Sequence, residues 1–246
     1  HSDNVISDPA RNPRNPELTA GGSSGGAAAA VAAGMLPVAP GSDGGGSIRI
    51  PAAATGIVGL KPGRGTIPTD EQHDAVTNLS VTGPLARTVE DAALLMDALV
   101  DPTQSNGRYV SAAQQGRESA GDLSIGYTTA SPFQPDLEIS LSQSAVQALT
   151  LAVTLLSKDG LSIEEMKFSY QPEYHKNFQT VWTQGLTRIP LPAGAEDEME
   201  ALAKDFLRQA RERTQEQYET AVAKLSEWAA DTRRQFSAYD VVLTPV

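Results

Sequence analysis

The sequence predicts an α/β fold with at least a partly parallel sheet. Two observations carry that expectation. Segments with helical periodicity alternate along the chain with short apolar runs, the order that packs helices against a sheet. The 246 residues are 40% apolar and 20% charged, an ordinary globular balance with enough chain for a sizeable core. The composition is also uneven. Residues 1–70 are rich in Gly, Ala, Ser and Pro with very few acids, whereas the chain beyond about residue 195 is rich in Glu, Gln, Lys and Arg. No internal repeat is visible.

Taken in order, Ala27–Ala33 reads as a short buried helix, ended by Gly34 and Pro37. Leu36–Pro40 fits a buried strand. Thr88-Val89-Glu90-Asp91 resembles a capping box with Asp in place of Glu, and Ala92, Leu95, Met96 and Leu99 then keep the helical period. Leu123–Tyr127 reads as a strand, Ser142–Ser157 as a helix stopped by Lys158-Asp159-Gly160, and Leu161–Phe168 as a strand. Residues 172–188 and 196–236 read as helices, the second broken. Tyr239–Leu243 is a final apolar strand.

Several function classes fall away on composition. Nineteen Lys+Arg against 30 Asp+Glu leave a net charge of −11, a field that repels nucleic acid and anionic membranes. The absence of Cys excludes disulfides, Cys-ligated zinc, iron–sulfur clusters and a thiol nucleophile. His1, His73 and His175 are too scattered to suggest a histidine metal site. The longest charge-free stretch, Leu18–Ser42, could span a bilayer by length, but its Gly, Ser, Ala and Pro content argues against a transmembrane helix. No start Met and no basic-then-apolar leader opens the chain.

The chemistry concentrates between Gly21 and Pro62. Two serines 24 residues apart, Ser23 and Ser47, sit in the glycine-rich runs Gly21-Gly22-Ser23-Ser24-Gly25-Gly26 and Asp43-Gly44-Gly45-Gly46-Ser47. Glycines let the backbone bend into positive φ and let a substrate approach the main chain. Successive N–H groups in such a loop can converge on one anion. If that anion is a tetrahedral oxyanion, the loop is an oxyanion hole and the adjoining serine is placed to attack. Each run by itself also fits a Gly/Ser linker, a pair of tight turns or a phosphate loop, although GxxxxGK[ST] is absent and GxGxxG is not satisfied before a helix.

The two runs together, with Gly46-Ser47-Ile48-Arg49-Ile50-Pro51, Gly56-Ile57-Val58-Gly59-Leu60-Lys61-Pro62, Gly83-Pro84-Leu85-Ala86-Arg87-Thr88 and Tyr239-Asp240-Val241-Val242-Leu243-Thr244-Pro245, resemble the amidase signature family. That family includes bacterial amidases, nylon-oligomer cyclic-dimer hydrolase and the A subunit of glutamyl-tRNA amidotransferase. Asp43-Gly44-Gly45-Gly46-Ser47, where the family usually has Asp-Thr-Gly-Gly-Ser, leans toward the bacterial amidase and nylon-oligomer branch. The resemblance is dense from 19 to 100 and thin afterwards.

It implies an α/β/α sandwich around a mixed twisted sheet, incomplete at both ends: one partial domain over 1–246, a signature core at 19–100 and a variable substrate-side region at 101–246. It also implies a Ser–cis-Ser–Lys mechanism of carboxamide hydrolysis. Ser47 is then the nucleophile and Ser23, after a cis peptide bond, the bridging serine. The N–H groups of Gly44, Gly45, Gly46 and Ser47 form the oxyanion hole. Asp43 and Arg49 brace the loop, and Ser24 orients backbone. No metal, nucleotide or organic cofactor is implied. The expected partner is a small-molecule amide, with no nucleic acid and no membrane. A homo-oligomer, or further segments of the same polypeptide, would cover the exposed sheet edges, and a cytoplasmic location is expected.

One departure is serious. The family's general base is a lysine well upstream of the bridging serine, yet none of the 22 residues before Ser23 is Lys, and the first lysine is Lys61. The chain therefore reads as an internal fragment of a larger amidase, nearly inactive by itself, with Lys61 structural or, less favoured, a substitute base. An amidotransferase subunit and a non-catalytic fragment or pseudo-enzyme stay open. Trp182, Phe178 and Val181 could line an acyl pocket but suit core packing better. His73 and His175 read as surface or outlying groups, and Glu196–Glu200 as a solvated helix start. Gln209, Glu212, Glu216 and Glu219 read as a solvated face.

Overall fold

The protein is described from a computed structural model, which covers residues 7–68, 79–116, 123–134, 136–188 and 190–246. It divides into two units, His1–Glu118 and Ser119–Val246.

In the first unit a short hairpin, β1 (Arg11–Asn12) and β2 (Asn15–Thr19), leads into α1 (Gly25–Ala32), β3 (Val38–Asp43), α2 (Arg49–Thr55), β4 (Val58–Gly59), β5 (Val81–Ala86), α3 (Val89–Leu99), α4 (Pro102–Ser105) and α5 (Arg108–Gln115). Strand β5 lies between β3 and β4 and is antiparallel to both, with Gly41 opposite Gly83 and Gly59 opposite Leu85. The small residues are what let α1 and α2 settle on this sheet. Ala28 of α1, Ile48 and Ala52 around α2, and Leu85 of β5 form one buried cluster. A Cβ on Gly59 would come within 2.6 Å of the Ala52 Cβ, closer than two carbons can approach. Thr88 caps α3 by accepting from the Asp91 N–H at 3.1 Å, as the residue pattern predicts. The helix then buries Ala92, Ala93 and Met96.

The second unit contains β6 (Ser124–Tyr127), α6 (Gln143–Lys158), β7 (Ser162–Glu165), α7 (Tyr174–Gln184) continuing into a 3-10 turn at Gly185–Arg188, α8 (Ala201–Glu212), α9 (Gln215–Phe236) and β8 (Val241–Leu243). Strand β6 is central and parallel to both β7 and β8. Among the described residues the antiparallel and parallel ladders therefore belong to separate sheets, and the mixed α/β character comes from both. Asp240 locks the start of β8 to β6: its carboxylate accepts from the Ser124 N–H at 2.9 Å and hydroxyl at 3.0 Å.

Several boundaries differ from the expected ones. The Leu36–Pro40 run begins as a turn and becomes the strand β3 only at Val38, extending to Asp43, because its partner β5 continues that far. The strand expected to reach Phe168 ends at Glu165. The helix expected from 196 begins at Ala201, after a series of turns, and breaks at Arg213-Thr214. There Thr214 and Gln217 form a reciprocal capping box that starts α9 afresh. The short helix α2 and the strands β4 and β5 had no periodic signal. They are stretches of two to seven residues held by tertiary contacts.

Candidate active site

The two serine runs form neighbouring turns, each just ahead of a helix. Ser23 precedes Ser24, the N-cap of α1, and Ser47 precedes Ile48, the N-cap of α2. The Ser24 N–H donates to the Ser47 carbonyl at 3.2 Å, which joins the turns directly. The Ser24 hydroxyl adds a second tie, accepting from the Ser42 N–H at 3.2 Å and donating to the Ser42 carbonyl at 3.3 Å. Ser24 is thus engaged with backbone. The Gly22–Ser23 peptide bond is cis. Ser23 is exposed and Ser47 half-buried, and neither hydroxyl forms a hydrogen bond among the described residues, including with the other.

Asp43 organises the second turn. Its side chain is fully buried, yet both oxygens are satisfied. One accepts from the Gly46 N–H at 2.7 Å and from Arg49 Nη2 at 2.9 Å. The other accepts from the N–H groups of Ile48 and Arg49 at 3.2 and 3.3 Å, and from Arg49 Nε at 2.9 Å. Burial pushes this carboxyl upward, but the Arg49 guanidinium and the Gly46 and Ile48 N–H groups outweigh it and hold its pKa at about 2. The carboxylate is therefore a permanent anion that winds the chain around itself.

That winding engages one of the expected donors. The Gly46 N–H is committed to Asp43 and is not a free oxyanion donor. The N–H groups of Gly44, Gly45 and Ser47 donate to no described residue and remain available. Gly46 instead supplies conformation: its φ is 111°, and a Cβ there would sit 2.7 Å from Ile50 Cδ1.

The two helices are secured at their far ends by side chains distant in sequence. Arg87 Nη1 donates to the carbonyls of Val31 and Leu36 at 3.1 and 3.0 Å, satisfying the C-terminal end of α1. Asn12 donates to the Ala54 carbonyl at 2.6 Å, and Arg14 donates to those of Thr55 and Gly56 at 2.7 and 3.1 Å, doing the same for α2. Sequence reasoning missed Asn12 and Arg14. Nothing in their local pattern marks them, since their partners lie about forty residues away.

Lys61 donates from Nζ to the Pro62 carbonyl at 2.8 Å. Burial, reinforced by the positive charges of Arg49 and Arg64 and opposed by Asp43, lowers its pKa below the ordinary lysine value.

The candidates of the second unit are placed as follows. Val181 is buried, whereas Trp182 is 39% exposed and stacks on Phe178. His175 Nδ1 lies 3.0 Å from Asp136 Oδ2. Glu196 pairs with Arg211. Gln209 is tied to Asp205 and Gln179, so it is not part of a purely solvated face. His1 and His73 lie outside the described residues. Among the described residues no cluster of three or more His, Cys, Asp or Glu could hold a metal, and no helix is long and apolar enough to cross a membrane.

Comparison with known proteins fits this arrangement. The pattern that defines the Amidase family matches residues 1–246. A Mycobacterium tuberculosis protein named as an amidase, AmiB2, is 36% identical over 235 residues, covering 95% of this chain and 46% of its own. A bacterial aryl acylamidase of the amidase signature family superposes with a TM-score of 0.78 at 27% identity, covering 99% of this chain and 52% of that one. The 6-aminohexanoate cyclic dimer hydrolase gives 0.78 at 30% identity, over 93% and 50%. The chain thus spans about half the length of the relatives it matches. With the family pattern running from its first residue to its last, and the paired serine turns folded as described, the chain belongs to the amidase signature family.

Proposed function

We propose that the protein is part of an enzyme that hydrolyses carboxamides through an acyl-enzyme formed on Ser47. The observation that carries this reading is the pairing of the turns: two unengaged hydroxyls, Ser23 and Ser47, on loops joined by the Ser24–Ser47 backbone bond, beside the free N–H groups of Gly44, Gly45 and Ser47. Ser47 Oγ attacks the amide carbonyl carbon. The carbonyl oxygen becomes an oxyanion, which the three N–H groups stabilise without rearranging, because Asp43 has already set the turn. Ser23 takes the Ser47 proton and passes it on, since an alkoxide at neutral pH is too basic to persist. The C–N bond then breaks, the amine or ammonia leaves with a proton, and water releases the acid from Ser47.

The relay needs a final acceptor. No lysine precedes Ser23 in these 246 residues, and Lys61 holds its ammonium on the Pro62 carbonyl. We assign the acceptor to a lysine outside these residues, so the 246-residue chain should turn over amides poorly.

The test uses a panel of simple amides and a fluorophosphonate probe, applied to this chain and to a longer reading frame carrying an upstream lysine. The longer protein should hydrolyse amides and carry the adduct on Ser47. Ser47→Ala should abolish both. Ser23→Ala should cut turnover strongly while sparing substrate binding. An adduct on another residue, or undiminished turnover in a folded Ser47→Ala protein, overturns the assignment. Turnover by the 246-residue chain at the longer protein's rate, lost in a folded Lys61→Ala variant, would make Lys61 the acceptor.

A further inference from the structure

The second unit contains a cavity of about 460 Å³ that the amidase reading does not use. It opens where β6 and β7, neighbouring parallel strands, reach their carboxyl ends. Its lining comes from the segment that follows β6 (Thr128, Thr129 and Gln134) and from the end of β7 onward (Glu165, Met166 and Lys167). In open α/β sheets ligands collect outside the carboxyl ends of the strands, and the volume lies within the range of small-molecule sites.

The chemistry of the lining is specific. Glu165 and Lys167 carry opposite charges two residues apart, yet among the described residues they form no ion pair with each other or with any other group. Gln134 accepts from the Ser131 N–H at 3.0 Å through Oε1, which leaves its NH2 group free to donate. The Thr128 hydroxyl accepts from the Ala130 N–H at 3.1 Å, so its own proton is still available. Met166 is buried and supplies an apolar wall. Two separated, uncancelled charges of opposite sign, with amide and hydroxyl donors between short strand ends, complement a molecule that carries both an ammonium and a carboxylate.

We propose that this cavity is a binding site for a small zwitterionic amino acid, its carboxylate facing Lys167 and its ammonium facing Glu165. The proposal does not rest on the acyl-enzyme mechanism.

Titration of the ¹⁵N-labelled 246-residue chain tests it. Glycine, 4-aminobutyrate and 6-aminohexanoate serve as zwitterions of increasing charge separation, and butyrate and butylamine as singly charged controls, each taken to about 50 mM, well beyond a millimolar Kd. At least one zwitterion should produce saturable amide shifts at Thr128–Ala130 and Glu165–Phe168. Butyrate and butylamine should bind about fivefold more weakly, as should the zwitterion to Lys167→Met or Glu165→Gln, since each loses one partly exposed charge contact. Both positions border solvent, and an otherwise unchanged amide spectrum shows that the variants fold. The proposal is overturned by an absence of saturable shifts with all three zwitterions, by equal affinity for a singly charged control, or by folded Lys167→Met and Glu165→Gln proteins that bind as the original does.

Discussion

The serine turns and the α8–α9 region handle charge in opposite ways. In the turns, Asp43 is wholly buried and takes five hydrogen bonds at 2.7–3.3 Å, three of them from backbone N–H groups. In α8, Arg208 reaches Asp205 and Glu212 at similar distances, but all three side chains are between 46% and 61% exposed. Equal distances therefore conceal unequal consequences. A buried carboxylate with every lone pair engaged determines the path of the chain, because any other path leaves its N–H partners or the charge itself unsatisfied. An exposed pair exchanges its protein partner for water at little cost and determines almost nothing.

Removing each charge should break that comparison most plainly. Asp43→Ala strands the Gly46 and Ile48 N–H groups and removes the partner of the half-exposed Arg49 guanidinium. Urea unfolding should show a loss of about 3–5 kcal/mol, with the serine turn disordered and fluorophosphonate capture lost. A loss no larger than an ordinary surface substitution would show that the buried network is not what holds the turn.

Gly46→Ala probes the same turn through its backbone. The positive φ costs a side chain roughly 1–3 kcal/mol, and the added Cβ pushes against Ile50, so a total of about 3 kcal/mol is expected in urea unfolding. The Gly46 N–H is engaged with Asp43, so any loss of Ser47 reactivity in this variant reports turn geometry rather than a missing oxyanion donor.

Acid offers a gentler version. Asp43 has a folded pKa of about 2 against its ordinary 3.8, so its depressed pKa adds stability that is fully present above pH 3.8. That contribution, about 2 kcal/mol, is lost as the pH falls from there through about 2. The pH dependence of unfolding between those limits should diminish in Asp43→Asn.

The smallest effect is expected in α8. Arg208→Ala should leave the urea midpoint within measurement error at moderate salt, because its partners are solvated with or without it. A clear destabilisation there would mean that the α8 pairs act as a network.

The family resemblance, the α/β class and the cap at Thr88 could all be read from the amino-acid sequence. The cap rests on spacing within one turn, where side chain and backbone meet without help from the rest of the fold. Helices α6 and α9 were visible for the same reason, since their period repeats over 16 and 22 residues. Only the tertiary structure decided that Gly46 spends its N–H on Asp43 while Gly44 and Gly45 do not, because identical residues in a row differ only in where the carboxylate falls. It likewise decided that Arg87, Asn12 and Arg14 close the ends of α1 and α2, and that β5 inserts between β3 and β4. Those contacts join residues up to 56 positions apart. Local periodicity carries no record of such distances, and the buried carbonyls and carboxylate select their partners only once the chain has brought them together.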